Sequence, residues 1–141
     1  MNMKVEGSSL LLRLILGMTF FLHGLVKFQG GIGNIAGWFD SIGLPGFLAY
    51  VVAIIELVGG IAMMLGLGTR IVGILFAIVM IGAIFTVKLS AGFMGNGQAA
   101  GYELDLVLLV MSIHFAINGS RLWSFDSVLS KKTEDEKYIS G

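Results

Sequence analysis

No cysteine occurs in the 141-residue chain. That excludes disulfides, iron–sulfur ligation, thiol relays and a cysteine nucleophile together. Charge is scarce as well: Asp, Glu, Lys and Arg make up 13% of residues, against about 25% in soluble domains. With 56% hydrophobic residues, too few polar groups remain to solvate a compact surface. Nine basic residues balance nine acidic ones, so nothing points to nucleic acid or to a strongly charged partner. Proline occurs once, at Pro45. Glycine, by contrast, is abundant at 21 residues, which in an apolar chain suggests close helix contacts.

The expected fold is all-α: an integral membrane bundle of four transmembrane helices with a short interfacial helix between the first two spans. A span needs about 20 apolar residues. Four such segments fall within 8–119, at about 8–27, 46–65, 70–89 and 101–117. The first is too long for a signal peptide and no small-x-small cleavage site follows it, so it reads as a retained span. Between the first two, Asn34 to Ile42 carries Trp38 and Phe39 beside Asp40 and reads as a helix lying in the headgroup region. Pro45 suits a helix start, Thr69 suits an N-cap, and Asn118-Gly119 suits a helix end. Residues 1–7 form a cytoplasmic N-terminal tail. Residues 120–141 are expected to be a cytoplasmic interfacial segment followed by a disordered charged tail.

Basic residues set the orientation. Lys4, Arg13, Arg70, Arg121, Lys131, Lys132 and Lys137 fall on the side of the termini and only Lys27 and Lys88 on the other, which places both termini inside a multi-pass plasma-membrane protein.

Ionisable residues inside the spans carry the functional signal, because each is costly in lipid unless it faces protein or water. His23 and Lys27 lie four apart, on one face of the first helix. Glu56 sits about ten residues into the second span, near midplane by the helical rise. A short carboxylate cannot reach headgroups from there, so it must be protonated, paired or lining a polar cavity. Lys88, Glu103 and Asp105 fall at helix ends on the outer side. Taken singly, Lys27, Lys88 and Asp105 are explained by snorkelling and helix-end placement. His23 reads equally as a satisfied bundle histidine or as a ligand-handling one, and His114 as an interhelical hydrogen-bonding residue. Predicted heights of the two histidines differ by about 12 Å, too far to share a haem. No ligand spacing demands a metal. Gly59 and Gly60, beside Glu56, read as a packing seam.

Together these segments resemble the DoxX family of small four-helix membrane proteins. The resemblance rests on Arg13-Leu-Ile-Leu-Gly17, Phe20-Phe-Leu-His-Gly24-Leu-Val-Lys27, Glu56-Leu-Val-Gly59-Gly60, Gly66-Leu-Gly-Thr69-Arg70, Lys88, Gly92-Phe93 and Gly101-Tyr102-Glu103. It covers about residues 8 to 120 and is nearest to the CatD-like and MhqP-like branch, catechol- and quinone-responsive proteins of Gram-positive bacteria. It implies a bacterial plasma-membrane location and a role beside quinone or catechol chemistry.

On that basis Glu56 and Glu103 would exchange protons, with His23 as hydrogen-bond partner or acid. Lys27, Lys88 and Tyr102 would hold the substrate. Arg13, Arg70, Gly59 and Gly60 would serve orientation and packing. No redox carrier is evident in the chain, so a separate reductase or a bound cofactor would supply the electrons, and the partner would be a soluble reductase or a dioxygenase. A bound quinone is the candidate cofactor, and a homo-oligomer is compatible with the sequence. Two other readings stay open: a small-molecule or proton-coupled carrier, and a non-catalytic membrane anchor subunit of a redox complex.

Overall fold

A computed structural model of the protein describes residues 2–140. The predicted tails extend at their tips to Met1 and Gly141, which lie outside the described residues. Six α-helices account for most of the chain: α1 Met3–Gln29, α2 Ile32–Ser41, α3 Phe47–Leu65, α4 Thr69–Ala83, α5 Glu103–Asn118 and α6 Phe125–Ser140. After Ala83 the α4 segment continues through a π turn, Ile84–Lys88, and a short 3-10 turn, Leu89–Ala91.

Among the described residues, three helices are long and apolar enough to cross a membrane: Met3–Gln29, Phe47–Leu65 and the 23-residue run Thr69–Ala91. Their outward faces remain apolar. Along α4 and the π turn, Ile71, Ile78 and Phe85 recur every seven residues and are 67%, 61% and 67% exposed, a stripe that suits lipid and not water. The chain is a multi-pass membrane protein. The segment expected to be the fourth span is helical as α5, and its 16 residues rise about 24 Å, shorter than the roughly 30 Å hydrocarbon layer.

The bundle consists of two tight pairs, α1 with α3 and α4 with α5, joined along α3 and α4 and closed by a lighter α1–α5 contact. Glycine makes the first pair possible. A Cβ on Gly60 would come within 2.5 Å of the Phe21 nitrogen and 2.6 Å of the Gly17 oxygen, so only hydrogen allows the two backbones to approach this closely. Its neighbour Gly59 turns the other way, against the Phe76 ring of α4. Leu16, Phe20, Met63, Val72, Phe76, Met80, Leu108 and Phe115 fill the centre.

Two expectations are corrected. Thr69 is not the N-cap of its helix: Gly68 takes that position, and the Thr69 hydroxyl instead donates to Asp126 Oδ2 at 2.7 Å. The C-terminal tail is helical through Ser140, not disordered. Ser124 starts that helix by accepting the Ser127 N–H at 3.2 Å, the N-cap arrangement. Asp126, one residue inside it, anchors it to the start of α4.

Candidate functional site

Gly24 on α1 determines how close the first polar pair can come. A Cβ there would lie 2.6 Å from the Leu57 nitrogen and 3.0 Å from the Ala53 oxygen, so α1 and α3 touch at this level. One turn further along α1, Lys27 faces α3, and its Nζ donates to both oxygens of Glu56 at 2.7 and 2.6 Å. Glu56 is 3% exposed. Of the states the sequence allowed, paired and cavity-lining is the one it adopts.

A second pair faces the first across the bundle. Lys88 ends the π turn, where the helix carries one more residue than an α turn would, and its Nζ donates to Asp105 Oδ1 at 2.9 Å. Asp105 is 5% exposed, and its Oδ2 is buried without a hydrogen-bond partner. His23 completes the polar set. Its Nδ1 lies 2.7 Å from the Thr19 carbonyl oxygen. A carbonyl only accepts, so Nδ1 carries a proton, and whenever the ring is neutral Nε2 is left as the acceptor.

These five residues line one cavity of about 440 Å³ between α1, α2, α3, the α4 segment and α5. Apart from Thr86, whose hydroxyl donates to the Gly82 carbonyl at 2.6 Å, the rest of its wall is largely apolar. Phe20, at its base, stacks on Phe76 with ring centroids 3.8 Å apart, and Trp38 and Phe39 of α2 form one side. Two lysines against two carboxylates make the set electroneutral. Lys27 spends two of its three N–H groups on Glu56, and Lys88 spends one, so both retain donors. The cavity thus offers lysine donors, the His23 ring and the Phe20 face among apolar neighbours.

Two predicted site residues fall elsewhere. Glu103 is exposed and is not among the cavity's lining residues, and Tyr102 packs edge-on to Phe93 in the neighbouring loop. Both open α5, where two positions along the helix separate Glu103 from Asp105 by about 200°. Asp105 is the carboxylate that turns inward. Its signal was present in the sequence: Asp105, Leu108, Ser112 and Phe115 are the buried residues of α5 and fall at helical spacing on one face. Among the described residues, no three His, Asp or Glu side chains gather as a metal site.

At the opposite end, Arg13 is 1% exposed. It donates to Ser120 Oγ at 3.1 Å and to the Trp123 carbonyl at 2.9 Å, tying α1 to the segment after α5. Glu6 accepts the Arg121 and Leu122 backbone N–H groups at 3.2 and 3.1 Å. His114 contacts Ser9 Oγ at 3.3 Å, an interhelical contact. Arg70 lies at the rim, exposed.

The sequence pattern of the DoxX family matches residues 8–89, which hold His23, Lys27, Glu56 and Lys88. The chain belongs to the DoxX family. Among DoxX relatives, the Bacillus subtilis (strain 168) protein named "Putative oxidoreductase CatD" is 55% identical over 131 residues, covering 93% of each chain. An uncharacterised membrane protein of Mycobacterium tuberculosis is 35% identical over 142 residues, covering 92% of this chain and 87% of its own. An uncharacterised Haemophilus influenzae protein is 30% identical over 126 residues, covering 86% and 90%. No solved structure matches. In this DoxX chain the cavity residue outside the matched segment is Asp105, together with its neighbour Leu108.

Proposed function

We propose that this DoxX-family protein binds a quinone or catechol in the cavity between the Lys27–Glu56 and Lys88–Asp105 pairs and supports its reduction or detoxification at the bacterial plasma membrane. The observation that carries this reading is the facing of two lysine–carboxylate pairs across an apolar cavity floored by Phe20 on Phe76. Quinone oxygens would take the free lysine N–H groups, and a catechol hydroxyl would donate to His23 Nε2. Reduction of a quinone to the diol consumes two electrons and two protons. Glu56 and Asp105, each already next to an ammonium, are the groups through which those protons would pass. The electrons would come from a soluble reductase, because the chain offers no redox carrier of its own. The similarity to CatD, named for oxidoreductase activity, supports the same class of chemistry.

In this reading α5 is the fourth span, both termini are cytoplasmic, and α2 lies in the interface with Trp38 at headgroup level. Electroneutrality of the site argues against an aromatic acid as cargo, since an added anion would have to compete with carboxylates already paired. The anchor reading draws on one observation: Lys131 to Ser140 form a fully exposed helical stretch.

Purified protein in lipid nanodiscs tests the proposal. Quenching of tryptophan emission by a short-chain quinone is expected to saturate, and Glu56→Gln is expected to abolish it. A protein that neither binds quinone or catechol nor turns one over with added reductant rules the proposal out. Glu56-dependent uptake into liposomes would instead favour the carrier, and tail-dependent copurification with an enzyme the anchor.

A further inference from the structure

At the end of the bundle away from Lys27, α4 begins beside the place where α5 ends. Between residues 68–71 and 118–121 lies a second cavity, of about 400 Å³, completed by Asp126 and Ser130 of α6. Arg70 and Arg121 both line it. The ion pairs among the described residues are Lys27–Glu56 and Lys88–Asp105, so neither guanidinium is committed to a carboxylate. Asp126, the acid on the wall, has both oxygens engaged: Oδ1 accepts the Gly68 N–H at 2.7 Å, and Oδ2 accepts the Thr69 N–H at 3.0 Å and its hydroxyl at 2.7 Å.

The backbone around the two arginines is fixed. Gly119, at φ +64, lies so close to Arg70 that a Cβ would come within 3.2 Å of Nε. Arg121 is held through its own N–H on the buried Glu6 carboxylate. Ser120, also on the wall, accepts from Arg13 Nη1, which turns its hydroxyl hydrogen to other acceptors. The charged groups left unspent here are therefore the two guanidinium forks, with the Ser120 hydroxyl beside them; Asn118 and Ser130 complete the polar wall. Guanidinium forks match the oxygens of phosphate in charge and in spacing.

We infer that this cavity is a phosphate-binding site, separate from the Lys27–Glu56 cavity and independent of the function proposed for it. At the ends of membrane helices the ligand is either the headgroup of an anionic phospholipid or a phosphate from solution.

The test uses the full chain in nanodiscs. Native mass spectrometry after mild delipidation is expected to find phosphatidylglycerol retained in preference to phosphatidylcholine. R70Q and R121Q should each weaken that retention about fivefold, with R70K and R121K losing less. If instead millimolar inorganic phosphate raises the unfolding temperature in phosphatidylcholine discs, and R70Q removes the rise, the site holds and its phosphate comes from solution. Wild-type protein with no preference for phosphatidylglycerol and no response to phosphate overturns the inference. So does retention that R70Q and R121Q leave unchanged. The wild-type comparison needs no variant to fold.

Discussion

Lys27 and Glu56 meet through both carboxylate oxygens, although one side chain is a quarter exposed and the other almost wholly buried. Removing one partner from such a pair strands the other charge, and stranding costs more than the pair itself contributes. Glu56→Gln is therefore expected to destabilise the folded protein by about 3–5 kcal/mol. Lys27→Met combined with Glu56→Gln should recover most of that loss without recovering quinone binding. Thermal unfolding in nanodiscs for the two single variants and the double variant measures the coupling; strict additivity would contradict it.

Gly60→Ala forces a methyl group against three backbone atoms of α1. None can rotate away, so the α1–α3 pair must spread. The expected cost is about 2 kcal/mol or more, read as a lower unfolding temperature. Gly82→Ala, where an added Cβ meets nothing within 4 Å, is the matched control and should be close to neutral.

Lys88 ends the π turn and reaches Asp105. Lys88→Met removes the pair and should weaken quinone binding, whereas deleting Val87, which lets Ile84–Lys88 relax to an α turn covering nearly the same rotation with one residue fewer, should weaken it less. Quinone titration of both variants checks this, with equal affinity for Lys88→Met and wild type as the contrary result.

Arg13 uses a two-pronged geometry that lysine lacks. Arg13→Lys keeps the charge but can reach only one of Ser120 Oγ and the Trp123 carbonyl. A loss of about 1–3 kcal/mol follows from the acceptor left buried. Unfolding measurements on Arg13→Lys would contradict this if they matched wild type.

The absence of cysteine makes sidedness directly measurable. Lys4→Cys and Ser140→Cys should react with an impermeant maleimide only after the cytoplasmic face is opened, while Gln98→Cys reacts in intact cells. Opposite labelling of Lys4→Cys and Ser140→Cys would mean that α5 does not cross.

Glu56 was legible from the sequence because no cheap explanation exists for a carboxylate at midplane. The site around it was legible only in part. Asp105 looked like an ordinary helix-end charge, since one turn of helix offers Glu103 and Asp105 equally. Only the rotation fixed by Leu108, Ser112 and Phe115 decides between them. The π turn leaves no mark in composition or periodicity, so the sequence showed Lys88 near the right depth but not its heading. The helical tail defeated a compositional argument. Lys131 to Ser140 bury nothing, yet Ser124 and Asp126 upstream fix where that helix begins.

Glu6 lies within the first turns of the chain, and the N–H groups it accepts belong to Arg121 and Leu122, more than a hundred residues later. During synthesis α1 enters the membrane long before those groups exist. Until the ribosome has delivered the turn after α5, Glu6 and Arg13 have no permanent partners, and the first helix cannot be locked against the last. Closure of α1 against that segment thus waits until residues 120–123 have been made. A chain halted before Ser120 would leave the Glu6 carboxylate and the Arg13 guanidinium without those partners.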